Sequence, residues 1–336
     1  MIVRTIVRNH PPPMVAVVGL LALNGFAADQ TWIDANVNNN WNTAADLNWD
    51  AGAFWTQGNN AIFGGTGETV TLTEGITVGN ITFNAGGYTI TGNTLTLGAG
   101  SLFNTGAFNA TISSILAGAG ASLTKSGTGT LTLSGVNTYT GGTTLGANAG
   151  TVSATLSTTQ NSIGTGAVSI GTGSTLVLDN VNTLNAIDVT VANTFTGAGL
   201  LRLNLAASAN TRNTRLNNIS GFTGTVQVSN SGANGDKWTI VGVNAPGATV
   251  IVDSGSQLFP NTTASTLGAV RITGTGNGED RGAIRMTTNL TAPVTLLGST
   301  TIGAGWRPQR HRVHRGRRHL HPHAGHGRIP ATFRST

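Results

Sequence analysis

The chain has 336 residues, 48 of them Gly, with only 9% charged side chains and no Cys. That length allows one elongated domain or two compact ones, and the missing Cys excludes disulfide frameworks and Cys-metal sites. The formal net charge of +6 averages unlike parts: eight of the 18 basic residues fall in 306–336, whereas all 12 carboxylates lie in 28–305. The body is therefore mildly acidic, which argues against nucleic acid as a partner.

The N-terminus starts with Arg4, Arg8 and His10, continues through Pro11–Pro13 into the apolar run Met14–Leu23, and closes on Gly25-Phe-Ala27. This is the order of a secretory signal peptide with cleavage after Ala27, and the apolar run is too short to anchor in a bilayer. Residues 1–27 are read as an export signal, so the mature protein is extracellular or at the outer-membrane surface.

Residues 28–66 hold Trp32, Trp41, Trp49 and Trp55 among many Asn and Asp. Such rings can stack on a sugar, which makes them candidate binding residues. They can also close the open end of a stacked core, since terminal repeats are atypical. The cap is the preferred reading.

From Gly67 to Gly305 apolar pairs recur two residues apart: Val70 and Leu72, Ile76 and Val78, Ile81 and Phe83, Tyr88 and Ile90, Leu95 and Leu97. Gly, Asn and Thr separate them, and no helical period intervenes. Short alternating strands with Gly corners predict a right-handed parallel β-helix, an all-β solenoid with coils of ~20–25 residues. TVTL at 69–72 recurs as TLTL at 94–97, which suggests one coil between them. Tyr139-Thr-Gly141 is echoed by Phe195-Thr-Gly197 and Phe222-Thr-Gly224, which suggests a shared corner with an inward aromatic.

The clearest unit is Leu123–Thr155. Leu123, Lys125, Gly127, Gly129, Leu131, Leu133, Gly135, Asn137, Thr138, Tyr139, Gly141, Gly142 and Thr143 resemble the autotransporter-associated β-strand repeat. The resemblance is specific over about thirty residues and looser across much of 67–305. It implies a secreted or surface passenger of a Gram-negative-type bacterium, commonly followed by an outer-membrane barrel or sorting segment. That export or anchoring module is expected, and the chain shows none of its alternating barrel strands. The motif is structural. Leu131, Leu133, Asn137, Tyr139, Gly141 and Gly142 are assigned to stacking, and no catalytic role transfers with them.

Residues 306–336 break the composition with eight Arg and six His but no Lys, Asp or Glu. Such a tail can bind metals or anions. It also has the vocabulary of a Gly/Thr-rich repeat read in a shifted frame, and that reading is preferred. The tail is expected to be disordered or out of frame.

Residues 28–305 contain no His, which removes His-based triads and His-metal sites. Carboxylate chemistry remains. Asp253 and Glu279-Asp280 lie about one coil apart, with Arg281 and Arg285 nearby, and form the best acid–base cluster. The segment around Glu279 reads equally well as a solvated loop, so no catalytic residue is assigned. No metal and no cofactor are expected. The sequence thus predicts a monomeric, non-catalytic passenger-type β-helix with a structural or adhesive role, meeting glycans or other cell-surface molecules. A β-helical polysaccharide lyase or glycoside hydrolase is the alternative, and a fragment lacking its C-terminal anchor is a third reading.

Overall fold

The computed structural model describes residues 27–157, 161–181, 189–205, 212–230, 237–241, 244–260, 265–276, 282–286 and 289–304. The signal segment up to residue 26 and the tail from 305 lie outside them. Among the described residues every regular element is a strand. Alternation explains why. Thr69–Leu72 and Thr130–Leu133 bury their Val and Leu and turn Thr outward, the period-two pattern of a half-buried strand.

The strands stack into two long sheets. One has ten strands, from Asp29–Trp32 to Lys237–Val241, and the other thirteen, starting at Asn40–Trp41 and reaching Val294–Thr300. A three-stranded sheet joins Ile76–Val78, Leu95–Leu97 and Leu116–Ala117. Strand pairing within these sheets is parallel, and up to Ala245–Val252 successive strands of the chain pass from one sheet to another. That is a parallel β-solenoid. Hydrogen bonds run from each coil to its neighbours, and partners lie 20 to 25 residues apart along most of the chain, as between Thr69 and Thr89 or Leu200 and Thr225.

Register places like on like. Val70, Ile90, Ile112, Leu133, Ala154, Leu178, Leu203, Val228, Val252 and Ile272 form one continuous inward column in the thirteen-stranded sheet. Every member is fully buried. Each large aliphatic side chain in such a column contributes about 1.5–3 kcal/mol relative to exposure, so the stack is held by many similar increments.

Two sequence expectations about register are corrected. Thr69–Leu72 pairs with Tyr88–Gly92, whereas the TLTL at 94–97 lies on the third, narrow face. The same tetrapeptide recurs there because each face of a coil needs the same in-and-out alternation. Phe195 and Phe222 are buried like Tyr139, but they do not share its corner. Phe195 lies inside Val189–Gly197, in register with Val168 and through it with Thr143, four positions after Tyr139.

Candidate binding surface

At the N-terminal end of the stack the four Trp rings are core. Trp41 and Trp49 are fully buried, and Trp32 and Trp55 nearly so. Trp49 contacts Trp32, Trp41 and Trp55 with ring centroids 5.2, 4.8 and 4.6 Å apart, and Phe63 continues the cluster inward. Rings without a solvent-facing surface have nothing to offer a sugar, so burial removes these four from the candidate binding residues.

The Asn and Asp around them tie off strand edges. Thr31 donates its N–H to the Asp50 carboxylate at 2.8 Å, and Asp50 returns its own N–H to the Thr31 carbonyl at 2.7 Å. Asn48 donates its amide to the Asn40 carbonyl at 2.9 Å and to Asn38 Oδ1 at 2.8 Å. Asp46 accepts amide protons from Asn42, Asn38 and Asn36, and these bonds hold its carboxyl below the usual carboxylate range. The polar side chains thus occupy positions where a further strand would bond.

Inside the repeat, the motif residues bind coil to coil. Leu131 and Leu133 are fully buried. Asn137 accepts from the Leu116 N–H at 2.8 Å on one side and donates to the Ser162 carbonyl at 2.7 Å on the other. The Tyr139 hydroxyl lies 2.6 Å from Thr143 Oγ1, and Thr143 passes its own proton to the Ile163 carbonyl at 3.0 Å. Burial pushes the Tyr139 phenol well above its ordinary value. Gly141 and Gly142 have no room for a side chain. A Cβ on Gly141 would lie 2.4 Å from the Gly120 carbonyl oxygen, and one on Gly142, at φ +103°, would lie 2.5 Å from that of Ala167.

Lys125 is the departure from this apolar pattern. It stands in the inward column between Phe103 and Leu145 and is fully buried. Its ammonium donates to the carbonyls of Ser126, Gly127 and Ala149, each at 2.8 Å, which uses all three protons. Burial lowers its pKa to about 8.

Asp253 is the sequence candidate that reaches the outer surface, where its carboxylate accepts from Gln227 at 2.8 Å. Glu279, Asp280 and Arg281 lie outside the described residues. Asp179 shares the outer face with Asp253, separated by Asn204 and Ser229 in register. Three coil steps put the two carboxylates about 14 Å apart, beyond the ~5–9.5 Å that serves glycoside hydrolysis. Searching the sequence for carboxylate pairs missed Arg202 and Gln227. Their steps of 25 and 26 residues toward Asp253 were the available signal.

A family model described as passenger-associated-transport-repeat matches residues 123–154. Over 93 residues, 28% of this chain, the sequence is 43% identical to "Adhesin BmaC autotransporter" of Brucella suis biovar 1 (strain 1330). That match spans 3% of the adhesin's length. No solved structure matches the chain. The unit at 123–154 is thus similar to a passenger-associated transport repeat.

Proposed function

We propose that the chain is an exported, passenger-type β-solenoid that acts at the cell surface or outside the cell in a structural and adhesive role, without catalysis. The observation that carries this reading is the division of the stack into an apolar inside and a polar, mostly uncharged outside. Thr69, Thr89, Thr111, Thr132 and Ser153 form an outward ladder on one sheet. Leu102 is followed by Thr124, Thr144, Ser169 and Thr196 on the other. Such ladders offer hydroxyls over a broad face and no concentrated charge or nucleophile. Similarity to an adhesin over 93 residues supports the same role.

Two further parts belong to the proposal. Residues 1–27 direct export and are removed, and 28–66 serve as a cap that keeps the rod monomeric. Contact with glycans or other cell-surface molecules is the adhesive mode proposed.

A binding array of glycans and fixed cells, run beside a reducing-sugar assay on polysaccharides, tests the reading. Saturable binding without turnover is expected. Turnover without saturable binding would overturn it.

A further inference from the structure

The outward ladder of small hydroxyls stops after Ser153. The same column continues as Val177, Arg202, Gln227, Ile251 and Arg271. Where these longer side chains stand beside Asn204 and Ser229, a depression of about 320 Å³ opens, lined by Val177, Arg202, Asn204, Gln227, Ser229, Asn230 and Asp253.

Its polar groups hold one another in place. Arg202 donates its Nε–H to Gln227 Oε1 at 3.0 Å, and Gln227 donates from Nε2 to Asp253 Oδ2 at 2.8 Å. A donor on one side and a carboxylate on the other fix the orientation of the Gln227 amide. Asn204 is oriented likewise, donating to Asp179 Oδ1 at 2.6 Å, while Ser153 donates to Asp179 Oδ2 at 2.7 Å. These side chains rise from adjacent parallel strands, Thr175–Asn180, Leu200–Leu205 and Thr225–Ser229, and from the end of Ala245–Val252. These bonds pre-orient the lining groups, which reduces the ordering a ligand must impose.

The network leaves hydrogen-bonding capacity unused. Among the described residues the two Nη groups of Arg202, Asp253 Oδ1 and Asn204 Oδ1 have no protein partner. Arg202 makes no ion pair there, so its guanidinium fork is open on the same lining as the free Asp253 oxygen. One positive and one negative charge cancel within the lining, and Asp179 stands just behind it. An anionic ligand would meet two carboxylates, a cationic one would meet Arg202, and an apolar one would find Val177 alone. Sugar hydroxyls, each both donor and acceptor, match a surface on which free donors and free acceptors adjoin.

We propose that this groove is a binding subsite for a neutral oligosaccharide, with sugar hydroxyls bridging the Arg202 fork, Asn204 and Asp253. The assignment rests on the adhesive reading above and gives it a place and a ligand class.

The test uses the purified full chain, immobilised glucose-, galactose- and mannose-based oligosaccharides, and oligogalacturonate as the acidic comparison. Arg202→Ala and Gln227→Ala are the groove variants, and Thr132→Ala, on the same column outside the groove, is the control. Far-UV circular dichroism checks that all three keep the wild-type fold. Saturable binding to a neutral oligosaccharide is expected, weakened at least tenfold in both groove variants and unchanged in the control. Equal binding by wild type and groove variants would overturn the subsite, as would preference for oligogalacturonate. Adhesion to cells separates the two levels. If wild type and Arg202→Ala adhere equally and no oligosaccharide binds, the groove falls and the adhesive reading stands. If wild type adheres to neither cells nor glycans, both fall.

Discussion

In the coil that follows Leu116–Ala117, Asn137 takes over bonds that a strand would make on the narrow third face. Its side chain satisfies the Leu116 N–H below and the Ser162 carbonyl above, and its own N–H reaches the Asn161 carbonyl at 3.1 Å. Asn137→Ala leaves two buried backbone groups without partners, so a loss of about 2–4 kcal/mol is expected in urea denaturation. Tyr139→Phe should cost only about 0.5–1.5 kcal/mol, because Thr143 keeps its bond to Ile163. Equal losses for the two variants would contradict this ordering. Lys125 sets a different expectation. Burial lowers its pKa from 10.5 in the unfolded chain to about 8 in the fold, so between these values the unfolded chain binds more protons. Stability should therefore be flat below pH 8 in this contribution and rise from there toward 10.5. Denaturation midpoints measured across pH 7–10.5 should climb in the wild type and lose that climb in Lys125→Met. An identical slope in both would assign the titration to another group.

Strands in a solenoid have neighbours on two sides, and among the described residues Asp29–Trp32 and Asn40–Trp41 pair with a strand on one side only. Asn40–Trp41 heads the thirteen-stranded sheet, and Asn38 and Asn48 cover its open edge. Asn48 is fully buried and also accepts the Asn36 N–H at 2.8 Å. Asn48→Ala should remove about 2–4 kcal/mol and uncover an edge able to pair with another copy. Static light scattering should show concentration-dependent growth of the variant at concentrations where wild type stays monodisperse. A variant that is monodisperse with an unshifted midpoint would mean the edge is covered by other groups. Strand existence was legible from period-two alternation alone, as Thr130–Leu133 shows. Register was less legible, because TVTL and TLTL satisfy any face, and only pairing shows that 94–97 sits on the third one. The buried end of Lys125 was hidden for a related reason. Its three acceptors are backbone carbonyls, one of them a coil away, and carbonyls leave no trace in residue types. Arg202 and Gln227 were overlooked since a search for acid–base pairs passes over amides that orient charges.

At the scale of the molecule, the pairing pattern makes stability nearly one-dimensional. Each coil bonds to the coil before and the coil after, and the inward column from Val70 to Ile272 is a chain of nearest-neighbour contacts. In such an array total stability is close to a sum of coil terms and interface terms, and opening starts where a coil has one neighbour fewer. The first described coil covers its outer side with the Trp cluster and the Asn/Asp bonds to Thr31 and Asn40. Central coils, built on Thr130–Leu133, Thr151–Leu156 and Thr175–Asn180, have complete neighbours on both sides. Amide hydrogen exchange read by mass spectrometry should therefore be slowest in peptides spanning 123–180. Protection should fall gradually toward 294–304 and less steeply toward 29–63, where side chains cover the edges. Exchange at one common rate from 29 to 304 would indicate a single all-or-none unit and overturn the nearest-neighbour account. Loss of the N-terminal advantage in Asn48→Ala, with the centre unchanged, would trace the asymmetry to the edge cover.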